Sequence, residues 1–255
     1  MSNKREREKR REQRVQEESK VDSGERRTRL LQFGAGAVFL VIVAVVILIV
    51  VNGSSENGGD AQNLKEVSTV DQLFTGIPQK ELVLGDPKAK VELIEYGDLQ
   101  CPVCKAYSED FLPQIIEGQV KEGKAKLVFR NFTIIGPQSA PAGAAALAAG
   151  AQGRGWEYIE LFYRNQGTEN SGYADDEFLT AVAKGAGVKD IAQWETDRKG
   201  TKYTDQVTAT TEEAQRLGFT GTPSLAIKGP STNGLELLGT PSAPEEVEAE
   251  IEKAS

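Results

Sequence analysis

The chain has 255 residues, 39% of them hydrophobic and 27% charged, which suffices for one medium domain with accessories. Its net charge of −8 argues against a nucleic-acid partner, which would call for a basic face. Histidine is absent and only two cysteines occur, which excludes a Ser-His-Asp triad, a Cys-His protease pair and a histidine-ligated metal.

The charge is unevenly spread. Residues 1–29 carry eleven Lys/Arg against seven Asp/Glu, net +4, so the rest of the chain is acidic. We read 1–29 as a basic, solvated tail. Leu30 to Val51 carries no charge, and Gln32 is its only strongly polar side chain. At 1.5 Å per residue these positions span about 33 Å as a helix, enough for a bilayer core. The apolar run outlasts that of a signal peptide, and Val50-Val51-Asn52-Gly53 offers no small-x-small cleavage site. A single transmembrane signal-anchor over 30–51 is therefore expected. Arg26, Arg27 and Arg29 before the span place the tail in the cytoplasm and everything after Val51 outside it. A Gly/Ser/Asn-rich stretch then opens an extracytoplasmic linker, 52–76, and one domain follows over 77–255.

Within that domain, Glu81–Leu84 is a short strand candidate closed by Gly85-Asp86-Pro87. Val91–Tyr96 is apolar on both faces, as in the middle of a sheet. Gly97-Asp98 ends it, and Cys101-Pro102-Val103-Cys104 follows at once. Tyr107, Phe111, Ile115 and Ile116 share a helical spacing over 106–119, and Lys126–Arg130 is the next strand. Helical patterns then fill about 138–218, at 144–151, 156–165, 175–186 and 204–217. Strands at 224–228 and 235–238 and an acidic helix at 244–253 close the chain. The order is βαβ, a helical insertion, then ββα: an α/β domain.

The cysteine pair has three readings. A structural zinc site needs four Cys/His ligands, and only two thiols exist. A structural disulfide three residues apart constrains the unfolded chain little. A redox centre uses the local features. A sulfur at a helix start sees free N–H groups and the positive dipole end, which favour the thiolate. Pro102 suits the first helical position. Cys101 would then be the exposed nucleophile and Cys104 the resolving thiol.

Three stretches resemble the thioredoxin fold, in its DsbA-like branch with a helical insertion. They are Val91 to Cys104, Phe129-Arg130-Asn131-Phe132 with the Ala-rich segment after it, and Leu217 to Ser224. The resemblance covers about Ile77 to Lys253 and implies a protein thiol:disulfide oxidoreductase that needs no cofactor. It also implies a cis Thr222-Pro223 bond beside the cysteines, whose backbone pairs with an extended substrate segment. Glu95, six residues before Cys101, matches the fold's acidic position beneath the active site. On a face with Val91 and Leu93, it would be buried, its pKa raised, and would exchange a proton with Cys104. Two departures stand out. Val103 replaces the histidine many relatives carry between the cysteines, and Thr133 to Gln138 lacks another, which implies a less oxidising centre. The implied partners are reduced exported proteins as substrates, a quinone-linked or vitamin-K-reductase-like membrane oxidant, and the lipid bilayer. A reductase or isomerase of the same fold, or a non-catalytic anchored client-binding module, are the alternatives.

Overall fold

The apolar run Val91–Gly97 forms β3, with five of its last five residues buried, and the rest of the sheet assembles around it. The structure is a computed structural model and describes residues 64–241 and 243–255. The expected tail, anchor and first part of the linker lie outside the described residues. Among the described residues no helix is long and apolar enough to cross a membrane.

β4 (Ala125–Asn131) lies parallel to β3, with Val91 opposite Ala125 and Gly97 opposite Asn131. β5 (Ser224–Lys228) lies antiparallel on the other side, Glu95 opposite Leu225 and Tyr96 opposite Ser224. β1 (Gln79–Lys80), β2 (Val83–Leu84) and β6 (Glu236–Gly239) complete the order β1-β2-β4-β3-β5-β6. Because strand side chains alternate, Val91, Leu93, Leu127, Phe129, Leu225 and Ile227 feed one core. Ile94, Tyr96 and Ala226 face the other side, against Phe132 and Ala214.

The helices are α1 (Val67–Phe74), α2 (Pro102–Asp110), α3 (Leu112–Ile115), α4 (Ser139–Ala151), α5 (Gly155–Arg164), α6 (Asp176–Gly185), α7 (Ile191–Lys199), α8 (Thr201–Arg216) and α9 (Pro244–Ala254). The insertion thus runs from α4 to α8 between the βαβ and ββα halves, as the residue pattern predicts.

Four local differences have physical causes. Ordered structure begins before Ile77, inside the stretch read as linker. α1 buries Val70 and Phe74, one turn apart, and Phe74 meets the Trp156 ring at 6.3 Å. Of the strand read over Glu81–Leu84, Val83–Leu84 forms β2, whereas Glu81 and Leu82 make the hairpin tip, with Glu81 at φ 54 between β1 and β2. The helix read over 106–119 is three pieces. Pro113 has no N–H for an α-type bond, the chain restarts at Phe111, and Ile116–Val120 winds as a wider π-turn. Finally, α7 escaped the pattern, because its only buried side chains are Trp194 and Arg198.

Candidate active site

The chain leaves β3 at Gly97 and turns immediately into α2. The Asp98 carbonyl accepts the Cys101 N–H at 2.9 Å, and Cys101, extended at φ −75 and ψ 121, caps the helix. Pro102 takes the first helical position, so no donor is orphaned there. Both cysteines are buried, Cys104 one turn inward; Cys101, expected to be exposed, is covered because the Thr222 segment packs against it. Val103 between them is 54% exposed.

The two sulfurs are driven apart. Cys101 is pulled below the ordinary thiol value to about 6, chiefly by the hydrogen bond from the Cys104 thiol. Burial opposes this, and the Thr222 side chain and the Cys104 and Val103 backbone N–H groups support it. Cys104 is pushed well above the ordinary value, first by burial, then by its bond and proximity to Cys101 and by Glu95. One sulfur is therefore a thiolate at neutral pH and the other a thiol, the division that exchange chemistry requires.

Thr222–Pro223 is cis and brings the start of β5 against the cysteines. The Cys101 thiol donates to the Thr222 carbonyl at 3.3 Å. The segment is fixed from behind by Ser224 Oγ donating to the Gly221 carbonyl and Thr240 Oγ1 donating to the Pro223 carbonyl, both at 2.7 Å.

Glu95 is buried on β3, on the same face as the main core, and its Oε1 has no hydrogen-bond partner. Burial raises its pKa from 4.5 to about 8, helped by the charges of Glu160 and Cys101. It is therefore a proton-bearing acid at neutral pH that a small change of charge nearby can tip.

Cys101, Cys104, Glu95, Thr222 and Pro223 thus form one site, with Pro102 shaping the helix start and Val103 at its surface. Three side chains around it were not read as site residues in the sequence. Glu160 on α5 is wholly buried; its carboxylate accepts Arg164 Nε at 2.9 Å and the Ser108 hydroxyl. Tyr107 and Tyr163 are buried, and burial pushes both hydroxyls well above the ordinary phenol value. Tyr107 and Tyr163 sit within ordinary apolar helical stripes, so periodicity alone marks them as core, and Glu160 reads as a surface acid on an amphipathic helix.

The sequence model of the family described as Thioredoxin matches residues 78–253. The chain belongs to the thioredoxin family. This thioredoxin-family chain is 29% identical to the probable disulfide bond formation protein D of Bacillus cereus over 153 residues, 59% of this chain and 71% of that protein. The oxidised crystal structure of BdbD from Bacillus subtilis aligns at a TM-score of 0.61 and 22% identity, over 68% of this chain and 92% of that one. A thioredoxin-like oxidoreductase from Silicibacter pomeroyi aligns at 0.55 and 27% identity, over 72% and 96%. Within the thioredoxin family the chain is a DsbA-like thiol:disulfide oxidoreductase.

Proposed function

We propose that this oxidoreductase forms disulfides in exported proteins, acting outside the cytoplasm from a membrane anchor at 30–51, with 1–29 inside and 52 onward outside. The observation that carries the chemistry is the opposed shift of the two sulfurs, Cys101 down and Cys104 up, at one helix start. The similarity to a protein named for disulfide bond formation supports the direction.

In the oxidised enzyme a substrate thiolate attacks Cys101 Sγ. The Cys101–Cys104 bond breaks, a substrate–Cys101 disulfide forms, and Cys104 leaves as a thiolate. Glu95, protonated at neutral pH, gives it a proton. The substrate's second thiolate then attacks its own sulfur in the mixed disulfide, closing the substrate's bond and releasing Cys101 as thiolate. Two electrons have passed from substrate to enzyme. A membrane oxidant, quinone-linked or vitamin-K-reductase-like, takes them back, and in that half Glu95 receives the Cys104 proton so that Cys104 can resolve. Around Thr222–Pro223 the substrate lies extended, its backbone pairing with the exposed peptide edge. Pro102 presets the helix start, and Val103 supplies no charge to the thiolate, which keeps the centre less oxidising than a histidine-bearing one.

Oxidation of reduced, unfolded ribonuclease tests the reading. Cys101→Ser abolishes it, and Cys104→Ala accumulates mixed disulfides with clients in thiol-trapped cells. A parent without oxidase activity, or a Cys101→Ser protein that retains it, overturns the proposal.

A further inference from the structure

The turn that carries Cys101 is held by side chains that take no part in the exchange. Asp98 is wholly buried, and its carboxylate spends both oxygens on backbone donors. Oδ1 accepts the Gln100 N–H at 2.9 Å; Oδ2 accepts the Ile134 and Ile135 N–H groups at 2.8 and 2.9 Å. One side chain therefore joins the turn to the loop that follows β4. Gln100, also wholly buried, repeats the connection, with Nε2 donating to Ser139 Oγ at 2.9 Å and Oε1 accepting the Asn170 N–H at 3.3 Å. From beyond α5, Gln166 Nε2 donates to the Leu99 carbonyl at 2.7 Å and to the carbonyl of Cys101 itself at 3.1 Å.

We propose that Asp98, Gln100 and Gln166 are positioning residues for thiol–disulfide exchange, lashing the Cys101 turn to the 134–139 loop and to the end of α5. A turn of four residues between a strand and a helix would be amply closed by the Asp98 carbonyl bond to Cys101 alone. The seven side-chain bonds on residues 98–101 exceed what connecting two elements requires. They fix where the Cys101 sulfur sits relative to the Val103 and Cys104 N–H groups and the Thr222 carbonyl, and hydrogen bonds of that kind depend steeply on geometry. The inference rests on Cys101 being the nucleophile.

The test is the pH dependence of Cys101 alkylation by iodoacetamide in the full-length protein, read by mass spectrometry. Titratable groups around Cys101 are Cys104 on its own helix, Glu95 on β3, Tyr163 on α5 and Asp98 in the turn itself. Gln166→Ala and Gln100→Ala alter none of them and change no charge. In both, the midpoint is expected to rise from the parent's value toward the ordinary thiol value of about 8.5, by about one unit, tenfold less thiolate at low pH. Asp98→Asn separates position from charge, because losing a negative charge alone lowers the midpoint whereas loosening the turn raises it. Folded Gln166→Ala and Gln100→Ala proteins with the parent's midpoint overturn the proposal, and a downward move in Asp98→Asn removes Asp98 from it. Should Asp98→Asn fail to fold, the partly exposed Gln166 still decides the matter. A parent midpoint at the ordinary thiol value instead overturns the nucleophile reading itself, and this inference with it.

Discussion

The Cys101 thiol donates to the carbonyl of Thr222, 121 residues away in sequence, at 3.3 Å. The bond exists only while Cys101 carries its proton. With Cys101 pulled to about 6, the thiolate prevails at neutral pH and the carbonyl loses this donor. In the oxidised enzyme Cys101 Sγ carries no proton either, so under the proposed mechanism the carbonyl can accept a substrate N–H when the substrate docks. The first expectation follows from the division of the sulfurs. Iodoacetamide at pH 7 labels Cys101 and leaves Cys104, buried and held well above the ordinary thiol value, unlabelled. Peptide mapping that finds Cys104 modified first reverses the assignment of nucleophile and resolving thiol.

Val103 is the adjustable position. At 54% exposure it accepts a larger polar side chain without repacking. In Val103→His a partly charged imidazole sits beside the Cys101 thiolate and favours it, lowering the thiol value further. The reduced form gains about 1.4 kcal/mol per unit, so the potential becomes more oxidising by about 30 mV per unit. Equilibration with glutathione measures this. A potential unchanged or more reducing shows that position 103 does not control the centre.

The site was legible because its parts are short and rigidly spaced. The apolar β3 run, the glycine after it and Pro102 at the first helical position each act locally, and family resemblance added Thr222-Pro223 and Glu95. What escaped depends on partners far away in sequence. α7 presents one apolar anchor, Trp194, whose indole donates to the Ala145 carbonyl at 2.9 Å and stacks under Arg198 at 5.0 Å. Its one sequence signal is Asp190, whose side chain caps the Gln193 N–H. Glu160 looks like a surface acid on an amphipathic helix until Arg164 and Ser108 are brought to it. Asp98 likewise reads as a turn residue, and nothing local tells that its second oxygen holds the 134–135 backbone.

Packing of the insertion on the sheet yields a third expectation. A Cβ at Gly150 on α4 would lie 2.8 Å from the Glu81 carbonyl carbon and oxygen, which are backbone and cannot swing away. Gly150→Ala therefore forces α4 off the β1–β2 hairpin tip and costs on the order of 1–3 kcal/mol. Urea denaturation reads the loss, while the Cys101 alkylation midpoint stays at the parent value because the hairpin tip does not touch the cysteines. A fully stable Gly150→Ala protein means that the hairpin tip gives way, and that the close approach does not constrain the fold.

Glu95 links the chemistry to stability, with a definite sign. Its value is about 8 in the folded protein against 4.5 for an unperturbed carboxyl. Between those pH values the folded state binds the proton that the unfolded state has lost, so this group lowers stability as pH rises from about 4.5 and ceases to do so above about 8. Cys101, depressed in the folded state, acts oppositely as pH rises through its own range, and a difference between two proteins that both keep it largely cancels that contribution. Glu95→Gln removes the ionisable group and keeps the shape. Its stability relative to the reduced parent is expected to be flat in acid, to climb through neutral pH and to level off in mild alkali, with a total gain on the order of a few kcal/mol. Exchange moves the other way. Without an acid beneath the helix, Cys104 leaves and returns without proton transfer, and turnover falls by about 10²-fold. Urea melts across pH 4 to 9 and ribonuclease oxidation at pH 7 read the two effects separately. A stability difference that does not change with pH shows that Glu95 titrates alike in the folded and unfolded chain, and it could not then hold a proton for Cys104 at neutral pH.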